Sequence, residues 1–147
     1  VDICEIAGEV VELLKDEALR RGVKLHIKGK SVFVKASRDS IKELILNLID
    51  NAIKYNRENG DVTIETLKAG DNAVLVVEDT GIGISEEHQD RIFERFYRVD
   101  KGRSKKTGGT GLGLSIVKHI TDLYHGKIDV KSEPGKGTRF EITFPVK

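Results

Sequence analysis

The apolar positions of this chain change rhythm several times, and each change marks an element. Between residues 5 and 21, Ile6, Val10, Leu13, Leu14 and Ala18 recur at helical spacing, and Gly22 ends the run. The segments "VKLHIKG" and "SVFVKA" instead alternate at period two, which predicts two short strands joined around Gly29 and Lys30. Ser37 or Asp39 can cap a second helix, in which Ile41, Leu44, Ile45, Leu48, Ile49, Ala52 and Ile53 follow an i, i+3, i+4, i+7 rhythm. "GDVTIETLKA" and "NAVLVVED" predict a hairpin around Gly70, Asp71 and Asn72. From 79 to 111 no apolar periodicity remains, so a long functional or mobile loop is expected. A third helix should run from about Leu112 to Tyr124 and stop near Gly126, and "KIDVKSEPGKGTRFEITFPV" reads as two closing strands around "EPGKG". Strands bunched beside three helices, without a βαβ repeat, predict a two-layer α/β sandwich. Its one mixed sheet of about five or more strands should be covered on one face.

Composition narrows the class without naming a function. A chain of 147 residues is one domain in length, and a domain of that size buries roughly 68 to 70% of its unfolded surface. Lys and Arg total 25 against 24 Asp and Glu, so no basic excess points to nucleic acid. Cys4 is the one cysteine and cannot close an intrachain disulfide, and the four His without further Cys make no zinc pattern. The longest apolar run, "AVLVV" at 73 to 77, is far short of the ~20 residues that span a bilayer. A cytoplasmic piece with no direct membrane insertion is expected. A chain opening on Val1, with no Met anywhere, is expected to be a fragment of a longer protein.

Three short stretches carry candidate chemistry. In "NLIDNAIKY" at 47 to 55, Asn47 and Asn51 stand one turn apart within a strongly periodic helix, although Asn is a poor interior helix former. Asn47, Asn51, Lys54 and Tyr55 share a face beside the Leu44, Leu48, Ala52 stripe. Two neutral amide oxygens at i and i+4 suit Mg²⁺ bound with phosphate, and Lys54 adds a cation for the phosphates. Solvated amides, or amides bonded to nearby loops, are the plainer reading of the pair alone. "EDTGIGI" at 78 to 84 leaves a strand at Asp79, whose carboxylate could accept the N6 hydrogen of adenine and reject the O6 of guanine. Gly81 and Gly83 allow close backbone approach or positive φ, and a solvated turn is the alternative. "GGTGLGLS" at 108 to 115 opens the third helix with free N–H groups suited to phosphate, or else forms a tight turn. No GK[ST] ends it and no strand precedes it, so it is neither a Walker A loop nor a Rossmann fingerprint.

Taken in order, "NLIDNAIKY", "DTGIGI", "IFERFYR" at 92 to 98 and "GGTGLGL" resemble the N box, first glycine box, F box and second glycine box of sensor histidine kinases. The resemblance extends over nearly the whole chain and implies the catalytic, ATP-binding domain of that family, with a Bergerat-type sandwich shared with gyrase. It implies Asn47 and Asn51 on the magnesium side, and Lys54 and Tyr55 at the phosphate and base ends of the cleft. Asp79 would contact adenine, with Gly81 and Gly83 beneath it. Arg98 would reach the terminal phosphate, while Phe93 and Phe96 read as hydrophobic anchors of the loop, with core packing as the plainer and preferred role. Gly109, Thr110, Gly111 and Gly113 would shape the phosphate loop, with Leu112 packed beside it. Thr138 would approach the adenine-side water network. An ATP lid is implied at about 99 to 110, where Lys101, Arg103, Lys105 and Lys106 face one carboxylate, Asp100.

None of His26, His88, His119 or His125 stands in the phosphoacceptor setting of that family, a histidine followed by an acidic residue, a basic residue and Pro. The acceptor is therefore expected on a separate dimerisation domain of the parent kinase, with a response regulator downstream. The fragment itself is expected to be monomeric and the parent a homodimer. An ATP-driven clamp of the gyrase kind and a nucleotide-binding regulatory module are the competing readings of the same fold.

Overall fold

A computed structural model describes residues 1–89, 91–94 and 113–145. Its elements are α1 (Ile3–Arg20), β1 (Lys24–Gly29), α2 (Arg38–Lys54), β2 (Asp61–Ala69), β3 (Asn72–Asp79), α3 (Glu86–Gln89), α4 (Gly113–Leu123), β4 (Lys127–Glu133) and β5 (Gly137–Pro145). The strands form one mixed sheet in the order β1-β2-β3-β5-β4, with β1 parallel to β2 and the other pairs antiparallel. The expected two-layer sandwich is what the chain adopts.

Alternation along the central strands shows which face the helices cover. Val62 and Ile64 of β2, Ala73, Leu75 and Val77 of β3, and Phe140, Ile142 and Phe144 of β5 all point to one side and join one core cluster with α1, α2 and α4. α2 lies between α1 and α4 and buries Ile41, Leu44, Ile45, Leu48, Ile49, Ala52 and Ile53. Each buried Leu or Ile there contributes about 1.5–3 kcal/mol relative to exposure, which outweighs the poor helix propensity of the two asparagines. Ser37 is the residue that caps α2, accepting from the Ser40 N–H.

Two expectations are corrected. "SVFVKA" is no strand of the sheet: Phe33 makes only an isolated bridge to Asp2. Its period-two pattern is real, since Val32 and Val34 are buried, but the backbone bonds the start of the chain through Ile3 N–H to Val32 O and Val34 N–H to Val1 O. β1 meanwhile pairs with β2 at the edge of the sheet, and not with this segment. The long loop expected from 79 to 111 contains, among its described residues, the short helix α3, too short for any periodicity to show. Residues 95–112, which hold the whole of the expected lid, lie outside the described residues.

Asp2 fastens this N-terminal corner. Its carboxylate caps α1 through the Cys4 N–H at 3.0 Å and also accepts from the Val32 N–H at 3.3 Å and the Ser31 hydroxyl. Asp2→Ala removes the cap and both cross-links, so it should destabilise the domain by about 1–2 kcal/mol, the upper range for a lost cap. A urea titration checks this; an unchanged midpoint would show that the 31–36 segment is held by its valines alone.

Candidate nucleotide site

The end of β3 delivers Asp79 to the top of the core with 8% of its surface exposed. Its Oδ1 accepts from the Gly81 N–H at 2.9 Å and from the Thr138 N–H at 3.3 Å, Thr138 being its cross-strand partner on β5. Oδ2 takes no hydrogen bond among the described residues. Burial pushes the Asp79 carboxyl up to about 6; the two amides oppose the shift and neighbouring Glu78 adds to it.

The loop after Asp79 is wedged between two other segments. A Cβ on Gly81 would stand 2.3 Å from the Tyr55 carbonyl oxygen, and one on Gly83, at φ +75, would stand 2.0 Å from that of Glu133. Only glycine lets the backbone pass so close. The Ile82 N–H donates to Tyr55 O, Gly135 N–H to Ile82 O, and Ile84 N–H to the Ser132 hydroxyl. Ser132 donates onward to Gly137 O and stands 2.9 Å from the Thr138 hydroxyl. Asp79, Gly81, Gly83, Tyr55 and Thr138 are thus brought together. Phe93 packs edge-to-face on Phe140, an anchor as expected.

On α2, Asn47, Asn51, Lys54 and the C-cap Tyr55 are half-buried along the edge of the core stripe. The Asn47 amide N–H donates to Glu43 O at 2.8 Å, which commits the nitrogen and leaves Oδ1 directed to the start of α4 at Gly113. Asn51's side chain has no partner among the described residues. No group of three His, Cys, Asp or Glu able to hold a metal occurs among those residues. The donor set fits a Mg²⁺ that shares two amide oxygens with nucleotide phosphates. Lys54 is paired with Asp50 at 2.9 Å. Arg98, Gly109, Thr110, Gly111, Leu112 and Phe96 lie outside the described residues.

Three contributors to the site escape sequence reasoning. Arg57 donates to Gly81 O and Gly135 O, Gln89 donates to Ile84 O and Ser132 O, and Ser132 links Ile84 to Thr138. Apart from the Ser132–Thr138 hydroxyl pair, these bonds go to backbone groups, which leave no spacing to find. A cleft of ≈ 840 Å³, lined by Ser132, Glu86, Gln89 and Arg139 among others, reaches Asp79 and Thr138.

Residues 36–147 match the family model described as histidine kinase-, DNA gyrase B- and HSP90-like ATPase. The chain belongs to this ATPase family. Among curated relatives of this ATPase domain, the sensor histidine kinase YkoH of Bacillus subtilis is 42% identical over 144 residues, 98% of this chain and 31% of YkoH. The chain therefore spans about a third of the length of that relative. The mycobacterial sensor histidine kinase MprB superposes with a TM-score of 0.85 at 28% identity, covering 99% of this chain and 95% of that structure. Full-length ShkA, solved in complex with AMPPNP, superposes at 0.84 and 28% identity over 100% of this chain and 31% of its own. The ATPase domain here corresponds to the catalytic domain of such sensor histidine kinases. No helix among its described residues is long and apolar enough to cross a membrane.

The raised Asp79 pKa has a sign that can be tested. Asp79 ionises near 6 in the folded ATPase domain, against 3.8 for an unperturbed Asp side chain, so the folded state holds the proton more tightly. Its contribution destabilises the fold above pH 6 and vanishes below about 4, a span worth about 3 kcal/mol at most. Asp79→Asn keeps an oxygen for both amides and removes the charge. It should raise the melting temperature of the nucleotide-free domain at pH 8 and give little gain at pH 4.5; a gain equal at both would refute the assignment.

Proposed function

We propose that the domain binds ATP with Mg²⁺ and transfers the γ-phosphoryl group to a histidine on the dimerisation and phosphoacceptor domain of its parent sensor kinase. The observation that carries this reading is the pinned carboxylate of Asp79 at the end of β3, one oxygen held by two amides and the other without a protein donor among the described residues, with the half-buried Asn47 and Asn51 carried on α2. Oδ2 accepts the exocyclic N6–H of adenine and repels the O6 of guanine. Thr138 and Ser132 keep a hydroxyl pair beside the base. The superposition on ShkA, solved with an ATP analogue, supports the same ligand class.

When bound, Mg²⁺ supplies charge neutralisation across the phosphates. Asn47 and Asn51 would hold it through their side-chain oxygens. Lys54 turns from Asp50 toward the phosphates, and Arg98 reaches the terminal one, where a planar guanidinium suits several oxygens. Gly109, Thr110, Gly111 and Leu112, with Gly113 at the start of α4, would contribute the glycine-rich phosphate contacts that the family resemblance implies. The Pγ–O bond to ADP breaks as a Pγ–N bond forms on the incoming imidazole, so this chain's task is positioning and charge stabilisation. The parent, a homodimer, then passes the phosphoryl group to a response regulator.

The test incubates radiolabelled ATP with this domain alone and with the parent's helical domain supplied separately. Acid-labile, base-stable label should appear only on the added domain, slowly, because the tether and its effective concentration are gone. Asp79→Asn should weaken ATP binding about 10- to 100-fold, the order for losing a charged hydrogen bond in a buried site. Asn51→Ala should abolish the Mg²⁺ dependence of transfer while sparing the melting temperature, since Ala is the better helix former. Label on the domain alone, or none on the folded partner, would overturn the reading.

A further inference from the structure

Arg57 follows the N-box helix in a polar loop, "NREN", where a solvated surface cation is the usual expectation. Its guanidinium is not spent that way. One nitrogen, Nη2, donates to the Gly81 carbonyl at 3.0 Å and to the Gly135 carbonyl at 2.6 Å. Those carbonyls belong to the two segments whose amides hold Asp79. The Gly81 N–H is the first donor to Asp79 Oδ1, and the Thr138 N–H, three residues beyond Gly135, is the second.

The same two segments are already laced together by the Gly135 N–H to Ile82 O bond at 2.7 Å, and the Ile82 N–H returns to Tyr55 O, two residues before Arg57. We propose that Arg57 is a positioning residue for nucleotide selectivity: it clamps the glycine loop to the β4–β5 turn and so fixes the direction of the free Asp79 oxygen. This rests on the adenine reading of Asp79. A charge-assisted donor to two carbonyls is directional, whereas a partly exposed cation acting at a distance would be screened. Arg57 touches no reacting atom, and its effect falls on recognition of the base.

The experiment measures Mg-ATP and Mg-ITP binding by calorimetry for the wild-type domain, Arg57→Ala and Arg57→Lys. Inosine carries an O6 in place of the N6 amine, so it cannot use the Asp79 hydrogen bond. Arg57→Ala should weaken ATP binding about five- to tenfold while ITP binding stays within about twofold, the size expected for one misdirected hydrogen bond to a charged group. Arg57→Lys, whose ammonium can still donate to both carbonyls, should recover most of the difference. In the transfer assay KM for ATP should rise with kcat held, because uniform binding is what is lost.

Equal weakening of both nucleotides would make Arg57 merely structural, and unchanged ATP binding would make it a solvated cation; either overturns the proposal. Should Arg57→Ala fail to fold, Arg57→Met, which keeps the aliphatic stem and removes the donors, takes its place: an ATP-to-ITP ratio equal to that of the wild type would overturn the proposal. Wild type that does not prefer ATP to ITP would remove the adenine reading itself, and this inference with it. Wild-type preference that survives intact in Arg57→Ala would remove the inference alone.

Discussion

A carboxylate buried at the end of a central strand is the constraint on which the rest of this domain depends. Asp79 could not remain there in water-poor surroundings without donors, and both of its donors are backbone amides of other segments. Thr138 offers its amide only if β3 and β5 pair in the register that sets Asp79 opposite Thr138. That register in turn requires the first residue of β5 to press on the end of β3, so closely that a Cβ on Gly137 would stand 2.0 Å from the Asp79 carbonyl oxygen. The Val77–Phe140 and Leu75–Ile142 pairs beneath, fully within the core, lock the same register from below.

The second anchor of the site is α2, which is both core and cleft wall. α4 is seated on it at both ends. Gly113 begins α4 against the Asn47 amide, and near the far end the Tyr124 hydroxyl accepts from the N–H of Ser37, the cap of α2. A β-carbon at 113 would come within 3.1 Å of Asn47 Oδ1, so the small residue leaves the amide oxygen its space. The helix that begins where the phosphate loop is expected is thus positioned by the helix that carries the asparagines, and neither can shift without the other.

Much of this was legible because burial imposes a rhythm on residues. The seven apolar positions of α2, the alternation of β2 and the paired closing strands all declare themselves, and they are where the structure has them. The 31–36 segment shows how rhythm misleads: Val32 and Val34 alternate as in a strand, yet the partner is the chain's own beginning. α3 has only four residues, fewer than two turns, and so has no period to read. At the site, Asp79, Gly81, Gly83 and Thr138 could be found from ordered motifs. Arg57, Ser132 and Gln89 could not, because a side chain that bonds a distant carbonyl carries no mark in its own neighbourhood.

The nucleotide-free geometry also divides the roles of affinity and selectivity. Lys54 is held by Asp50 on the next turn, so a phosphate that engages Lys54 replaces one anion by another and gains only the difference between them. Asp79 is in the opposite position: most of its surface is buried, and Oδ2 has no protein donor among the described residues. A ligand N–H that reaches it relieves a cost already present in the fold, whereas a ligand oxygen adds repulsion to that cost. On the proposed adenine reading, discrimination between bases is therefore steepest at Asp79. Rigidity of the glycine loop and the β4–β5 turn matters for the same reason, since a carboxylate free to rotate toward solvent would recover its hydration and lose that preference.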